Sequence, residues 1–444
     1  MSELLSERER VSQDESSRPI RVGMLGFGVV GSGAYRMLTD NRGAILRKVG
    51  APIEIVKVGV RTLEKPRIVS KDLITTDLNS IVDDPSIDVI LELMGGIDPA
   101  GDLVERALKG GKHVVTANKE LIAKRGAKLV SLAKAQSLDL HFEAAVGGGI
   151  PLIQPLKHQL AGNEVLKMMG ILNGTTNYIL TKMTQNHLGF QEALSEAQAL
   201  GYAEADPSSD VDGFDVQFKL AILSSIAFGH EVLPEAIYRQ GIREVAAEDI
   251  AYAETLGYVI KLLGIVDALE DGGIVARVHP ALVPKAHPLG SVSGVYNALW
   301  VRGDFVGDLM FSGRGAGSDA TGSAVVGDLI DVCRNIRLGG AGNTSTYDLP
   351  VKTRSIDEVV SAFYVRLVVQ DKPMVLGRLA TIFGNRNVSL SAMEMRVLDA
   401  EKQHGEIVFL VHPCIERDFQ QALEELRHAD FVLKVASWMR VLVS

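Results

Sequence analysis

The rhythm of apolar and polar positions changes twice along the chain. In the first third, short apolar runs alternate with segments of helical period. Residues 20–25, 53–60, 88–94, 112–115 and 138–143 read as buried strands, and Leu121, Ile122, Leu129, Val130 and Leu132 form the stripe of one intervening helix. Strands alternating with helices predict a parallel sheet with helices on both faces. From residue 164 the pattern is mixed. Strands are expected at 164–172, 259–270, 273–283 and 294–301, and helices at 178–184, 191–200, up to Phe228 and at 247–255. A glycine-rich loop, Gly313 to Thr321, then precedes a helical run through Asn335 and reads as the chain returning over the first unit. After a polar stretch at 337–360, the order β (363–369), α (373–383), β (388–397), β (405–411), α (416–427), β (432–441) predicts a ferredoxin-like sandwich.

The expected class is therefore α/β in three parts. They are a Rossmann-type unit (20–150, revisited at about 310–340), an α+β catalytic and dimerisation unit (151–336), and a βαββαβ unit (361–444). Residues 1–19 are charged and serine-rich and read as a loose tail, with 337–360 as linker. A length of 444 residues fits two or three domains. The formal net charge of −9 argues against nucleic acid or an anionic membrane as partner. Cys333 and Cys414 stand in unrelated contexts, which suits a reducing, cytoplasmic setting. No apolar run approaches the length of a membrane span, so no membrane partner is expected.

Between the first strand and its helix lies Gly26-Phe27-Gly28-Val29-Val30-Gly31. GxGxxG in that context is a dinucleotide loop: a tight turn, a close approach to pyrophosphate, and a helix packed on its strand. The second strand leads to Arg61 rather than to an acid, with Lys65 and Arg67 nearby. That favours NADP, whose 2′-phosphate needs positive charge, over NAD, for which Glu64 is the alternative ribose partner. Thr116 and Lys119, at the end of the fourth strand, are candidate cofactor or substrate contacts. Glu143 and the glycine turn Gly147-Gly148-Gly149 after it offer oxygen ligands to a hard cation.

Residues 201–220 hold the densest chemistry, with Glu204, Asp206, Asp210, Asp212, Asp215 and Lys219. Asp206-Pro207 disfavours helix, and a helix restarting near Gly213 takes Asp210 or Asp212 as its N-cap. Asp215 and Lys219 then share one face. They are either an ordinary surface pair or a proton donor held beside a substrate. His141, His230 and His287 are assigned structural roles, because nothing in the sequence clusters around them.

That acidic stretch, with Gly170-Ile-Leu-Asn-Gly-Thr-Thr-Asn-Tyr-Ile-Leu180 and Val115-Thr-Ala-Asn-Lys119, closely resembles homoserine dehydrogenase. The segment Val369-Gln-Asp371-Lys-Pro373-Met-Val-Leu376, with Phe383-Gly384 and Val388-Ser-Leu-Ser391, is similar to an ACT regulatory domain. The resemblance is to the monofunctional form. It implies NAD(P)H-dependent reduction of L-aspartate 4-semialdehyde to L-homoserine, on the route to threonine, methionine and isoleucine. By the same resemblance, Lys219 is the catalytic lysine. Glu204 and Asp215 hold the substrate's ammonium and reacting oxygen, and Thr175 lines the pocket. Thr116, Lys119, Gly201 and Gly317 contact the cofactor. Glu143 with the carbonyls of Val146, Gly148 and Ile150 holds sodium. A homodimer or homotetramer and a threonine effector are also implied, although Met374 stands where the ACT pattern has glycine. Two other readings stay open: an aspartate-semialdehyde dehydrogenase, which needs an activated cysteine, and a non-catalytic nucleotide or amino-acid sensor.

Overall fold

The computed structural model describes residues 18–342, 347, 349 and 351–442; most of the tail and part of the linker lie outside the described residues. The first sheet comprises β1 (Ile20–Leu25), β2 (Ile53–Gly59), β3 (Ile74–Thr75), β4 (Val89–Glu92), β5 (His113–Thr116) and β6 (Leu140–His141). Its order is β3-β2-β1-β4-β5-β6 and every pairing is parallel. This doubly wound order puts the strand-order reversal at β1 and β4, where nucleotides bind. Helices α1 (Val29–Asp40), α2 (Arg42–Val49), α3 (Asn79–Val82), α4 (Ala100–Lys109) and α5 (Lys119–Ala135) connect the strands. The short β3 is an addition to the expected set.

The central part follows as β7 (Val165–Ile171), α6 (Gly174–Asn186), α7 (Phe190–Ala199), α8 (Ser208–Val211), α9 (Phe214–Phe228), β8 (Tyr238–Arg239) and α10 (Ala247–Thr255). It continues as β9 (Tyr258–Ala268), β10 (Ile274–Pro284), β11 (Tyr296–Gly303), β12 (Gly307–Arg314) and α11 (Ser318–Leu338). The glycine-rich loop at 313 leaves an antiparallel strand, β12, that the apolar pattern does not announce. Its residues alternate half-buried and exposed, as an edge strand's do. Helix α11 packs on the first sheet. Val325, Val326, Leu329, Val332 and Cys333 on it are buried in one core with Val22, Met24 and Val58. Helix α1 crosses α11 so closely that a Cβ on Gly33 would lie 2.1 Å from the Ser318 carbonyl oxygen.

The last part is β13 (Val360–Gln370), α12 (Val375–Asn385), β14 (Leu390–Asp399), β15 (His404–Ile415), α13 (Glu416–Arg427) and β16 (Val432–Val441). Its strands run β16-β13-β15-β14, with Phe363 and Phe419 stacked 3.7 Å apart in its core. Sequence alone leaves both edges of this sheet open to another copy. One is taken within the chain: β16 pairs with β10, so the C-terminal sheet continues the central one as a single ten-stranded sheet. Helix α10 fastens the join, because buried Asp249 accepts hydrogen bonds from Tyr364 (3.0 Å) and Arg366 (2.7 Å). Among the described residues no helix is long and apolar enough to cross a membrane.

Candidate active site between the nucleotide-binding and central units

The three glycines of the β1–α1 loop are each constrained differently. Gly26 has φ +102°, and a Cβ there would lie 2.7 Å from the Leu93 carbonyl oxygen. A Cβ on Gly31 would meet the Gly26 carbonyl at 2.8 Å, whereas one on Gly28 meets nothing within 4 Å. The outer glycines thus serve the protein's own packing, and the middle one leaves open space at a helix N-terminus. Phe27 packs edge-on to Tyr35, and the Val29 carbonyl accepts a hydrogen bond from Ser318 Oγ at the start of α11. Val30 is half-buried behind the loop. Gly317, at φ +124°, sits beside that contact. Beyond β2, Arg67 is tied to the carbonyls of Lys65 and Thr62. Arg61 is exposed, and its side chain has no partner among the described residues.

The neighbouring strand ends build inward from this loop. Glu92, fully buried at the end of β4, accepts hydrogen bonds from Thr116 Oγ1 (2.6 Å) and from the Met94 and Gly95 N–H groups. Burial pushes its carboxyl up. Thr116 Oγ1 also accepts from the Asn118 N–H, so its hydroxyl is engaged within the protein. Asn118 caps α5 by accepting from the Leu121 N–H and donates to the Gly96 carbonyl. Lys119 therefore occupies the first position of α5, at the positive end of the helix dipole, where a cation is disfavoured. It is held there by an ion pair to Asp215 of the central part.

Asp215 lies in the first turn of α9, a helix that starts after Gly213 at φ +85° and is buried almost all round. Its Oδ2 accepts from Lys219 Nζ (2.7 Å), one turn along, and from Asn173 Nδ2 (2.9 Å); its Oδ1 takes Lys119. Lys219 Nζ donates as well to the Leu172 carbonyl at the end of β7 (2.7 Å). The Asp215–Lys219 pair is thus interior, not a surface pair. Burial raises the Asp215 carboxyl, but Lys219 and Lys119 outweigh it and hold it low. Burial, reinforced by Lys119 and only partly offset by Asp215, lowers the Lys219 ammonium. A lysine with depressed pKa is a better proton donor than a free one.

Asn173 and Asp210 complete this cluster. Asn173 caps α6 by accepting from the Thr176 N–H (2.8 Å), while its amide spans Asp210 (2.7 Å) and Asp215. Neither Asp210 nor Asp212 caps α9; the cap residue is Gly213 and no side chain bonds to the helix end. Asp212 instead pairs with Arg243. Asp210 is held in the cluster, where burial and the charge of Asp215 push its carboxyl up. Thr175 Oγ1 donates to the Tyr202 carbonyl (2.6 Å), which fixes the loop bearing Gly201 and Glu204 against α6. Glu204 is exposed, and among the described residues no contact joins its carboxylate to Lys219. For Asp210 the signal is an acid in the 201–220 stretch, which local rules assign to a helix cap.

The Glu143 region departs from expectation. Glu143 follows β6 in a 3-10 turn, and its carboxylate accepts from the Leu152 (2.5 Å), Ile153 (2.8 Å) and Gln154 (2.7 Å) N–H groups. Those three bonds engage both of its oxygens within the protein, and its carbonyl is a further candidate ligand. Among the described residues no N–H donates to the carbonyls of Val146, Gly148 or Ile150, and that of Glu143 accepts only a 3.3 Å bond from Val146. These carbonyls suit a cation held by neutral oxygens. His141 is not isolated: its ring lies 3.7 Å from Asp139 and 3.6 Å from Asp328, and Asp328 also accepts from the Glu143 N–H. His230 bonds to the Leu349 carbonyl, and His287 accepts from the Leu289 N–H and packs against Trp300; among the described residues neither ring has a carboxylate beside it as that of His141 does.

An open glycine loop in a doubly wound sheet, linked through Lys119 and Asp215 to a buried lysine of reduced basicity, is the layout of a nicotinamide-dependent oxidoreductase carrying a C-terminal ACT fold. Comparison with known proteins makes this particular. The families described as "Homoserine dehydrogenase, NAD binding domain", "Homoserine dehydrogenase" and "ACT domain" match residues 26–143, 151–330 and 363–429. The chain is 46% identical to the homoserine dehydrogenase of Synechocystis sp., covering 95% of this chain and 99% of that one. It is 40% identical to that of Bacillus subtilis, over 96% and 98% of the two chains. The crystal structure of a homoserine dehydrogenase from Thiobacillus denitrificans superposes with a TM-score of 0.90 at 40% identity, covering 96% of this chain and 98% of that chain. A hyperthermophilic archaeal homoserine dehydrogenase in complex with NADPH matches at 27% identity and a TM-score of 0.61, over 71% and 98%. The chain belongs to the homoserine dehydrogenase family and is an oxidoreductase acting on a CH–OH group.

Proposed function

We propose that Lys219 holds and transfers the proton at the reacting oxygen during the interconversion of L-homoserine and L-aspartate 4-semialdehyde. The observation that carries this is the burial of its ammonium on Asp215 and the Leu172 carbonyl, with lowered basicity, where the nucleotide-binding and central parts meet. The nicotinamide cofactor, when bound, supplies or accepts the hydride. As negative charge grows on the carbonyl oxygen, Lys219 stabilises it and protonates it, directly or through water. Asp215 and Asn173 fix the position of Lys219. Lys119 shares Asp215 from the cofactor side. Glu204 pairs with the substrate's α-ammonium, and Thr175 shapes the pocket wall through its bond to the 202 carbonyl. The cofactor is held by Gly26, Phe27, Gly28, Val30 and Gly31, with Thr116, Gly201 and Gly317 around the nicotinamide end.

NADP is the preferred cofactor. In support, no acid ends β2, while the exposed Arg61 and Lys65 side chains have no partner among the described residues. A sodium ion sits among the carbonyls of Glu143, Val146, Gly148 and Ile150. The part from 361 binds a small amino-acid effector such as threonine. The chain works in the cytoplasm as a homodimer or homotetramer, with exposed Phe305, Met393, Met395 and Val397 near the β12 and β14 edges in favour of self-association. The units divide at about 150, 336 and 360. The semialdehyde-dehydrogenase alternative lacks a thiol for acyl transfer. Burial pushes Cys333 up to about 12 and Cys414 up to about 11; Cys333 packs in the core of the first sheet and Cys414 against that of the C-terminal fold. A sensor without chemistry leaves the interior lysine pair unexplained.

Initial rates of L-homoserine oxidation with NADP⁺ and NAD⁺ in parallel, with and without L-threonine, test the cofactor and effector claims. The expected result is a lower KM for NADP⁺. Arg61→Ser should raise that KM by about tenfold, the loss of one charge-assisted phosphate contact, and leave NAD⁺ kinetics unchanged. Equal effects on both cofactors would remove Arg61 from the 2′-phosphate site.

A further inference from the structure

The ten-stranded sheet has a gap where its two halves join. Along one edge of β10, Arg277 and Val278 pair with β8, and Ala281 and Leu282 pair with β16. His279 and Pro280 lie between, and a proline has no N–H for a ladder. A cavity of about 70 Å³ opens at this seam, lined on its polar side by Lys167, Arg277, His279, Ser361 and Arg440. It is the size of a few waters.

Arg277, His279 and Arg440 are 5%, 1% and 2% exposed. Each keeps a buried nitrogen with no hydrogen-bond partner among the described residues, Arg277 Nε, His279 Nε2 and Arg440 Nη1, although the Arg440 guanidinium also lies over the rings of Tyr238 and Trp438. Unpartnered donors at such depth are costly, and charged ones most of all. The surrounding charges do not cancel. Arg277 (2.5 Å) and Lys167 (3.2 Å) share the single carboxylate of Asp267. Arg440 forms a two-pronged pair with Glu416 (2.6 and 2.8 Å). Three cations thus face two carboxylates. His279 donates from Nδ1 to the Pro280 carbonyl (3.0 Å), so Nε2 of the neutral ring carries a bare lone pair.

We infer that this cavity binds a small monovalent anion of halide or formate size between Arg277, His279 and Arg440, at the seam between the central and C-terminal sheets. The Nε–H of Arg277 and the Nη1–H of Arg440 donate to it. His279 takes up a proton from solvent as the anion enters and becomes the third donor. Without the anion, burial and then the charges of Arg440 and Arg277 keep that ring neutral. The site rests on none of the catalytic assignments.

The test uses the full chain. Thermal unfolding is followed in sodium chloride, bromide and gluconate at one ionic strength and one sodium concentration, near pH 6 and near pH 8. Tm is expected to rise with the logarithm of chloride or bromide concentration but not with gluconate. The gain should be larger near pH 6, where His279 charges with the anion, and His279→Gln should remove that pH difference while keeping a gain. A bromide-soaked crystal should show an anomalous peak within hydrogen-bonding distance of Arg277 Nε and Arg440 Nη1. Identical Tm in the three salts overturns the inference, whether or not a peak is seen, since a peak alone is an adventitious ion only. A Tm gain with no peak in the cavity also overturns it, because the anion then acts elsewhere.

Discussion

Asp215 and Lys219 have the spacing of countless surface ion pairs, and what sets them apart is where they are. A buried pair survives only if every remaining lone pair and proton is satisfied. Here Asn173 and Lys119 complete the bonding of Asp215, and the Leu172 carbonyl takes a second of the three Lys219 N–H groups. The spacing was legible in the sequence; the partners were not, because they come from positions about 40 to 100 residues away. Asp210 shows the same limit, read locally as a cap and found bonded to Asn173. His141 is the sharpest case, with Asp139 beside it and Asp328 arriving on α11. Burial lowers its basicity, but the two carboxylates beside the ring outweigh that and raise its pKa to about 9. A raised folded pKa contributes stability that is complete below the free value of 6.5 and lost as pH climbs through about 9. The difference in unfolding free energy between wild type and His141→Asn should therefore shrink by roughly 3 kcal/mol between neutral pH and about pH 10. Urea unfolding at the two pH values checks this, and a constant difference would mean that His141 is neutral in the fold.

At the scale of elements, the purely local patterns are legible in the sequence. The β1–α1 glycine loop, α10 at Ala247–Thr255 and the order of the C-terminal fold all follow from periodicity and turn residues. Strands β3, β8 and β12 leave no such pattern. The first two are two residues long, and β12 is a half-exposed edge whose apolar positions do not form a run. Two substitutions test element-level claims. Gly28→Ala adds a methyl group into open space, so Tm should stay within a degree or two of wild type, while dinucleotide affinity falls at least tenfold, read by fluorescence titration. Unchanged affinity would move the pyrophosphate away from this loop. Met374, at the start of α12, has φ +72°, a region that disfavours residues bearing a Cβ. Its side chain is exposed, so little packing is lost on removing it. Met374→Gly should stabilise the fold by about 1 kcal/mol in denaturant unfolding. Destabilisation would show that the methionine side chain makes a contact worth more than the strain.

In the whole molecule, two continuities matter. One sheet runs from β12 through the central strands into the C-terminal fold, so the part from 361 is built onto the sheet that carries β7 and, at its end, Asn173. No property of β10 or β16 taken singly announces that they pair, since each reads as an ordinary strand. The second continuity crosses the cleft. From Gly26 the contacts pass to the 93 carbonyl, from Glu92 to Thr116 and Asn118, and from Lys119 to Asp215 and Lys219. The candidate site therefore exists only in the assembled chain, and its central claim is best tested there. Turnover of L-homoserine by Lys219→Ala is measured alongside its NADPH dissociation constant. The account predicts a fall in kcat of about 10²- to 10⁴-fold with nucleotide binding retained. Turnover near that of wild type, in protein that still binds NADPH, would contradict it and leave Lys219 an interior ion pair with no part in the chemistry.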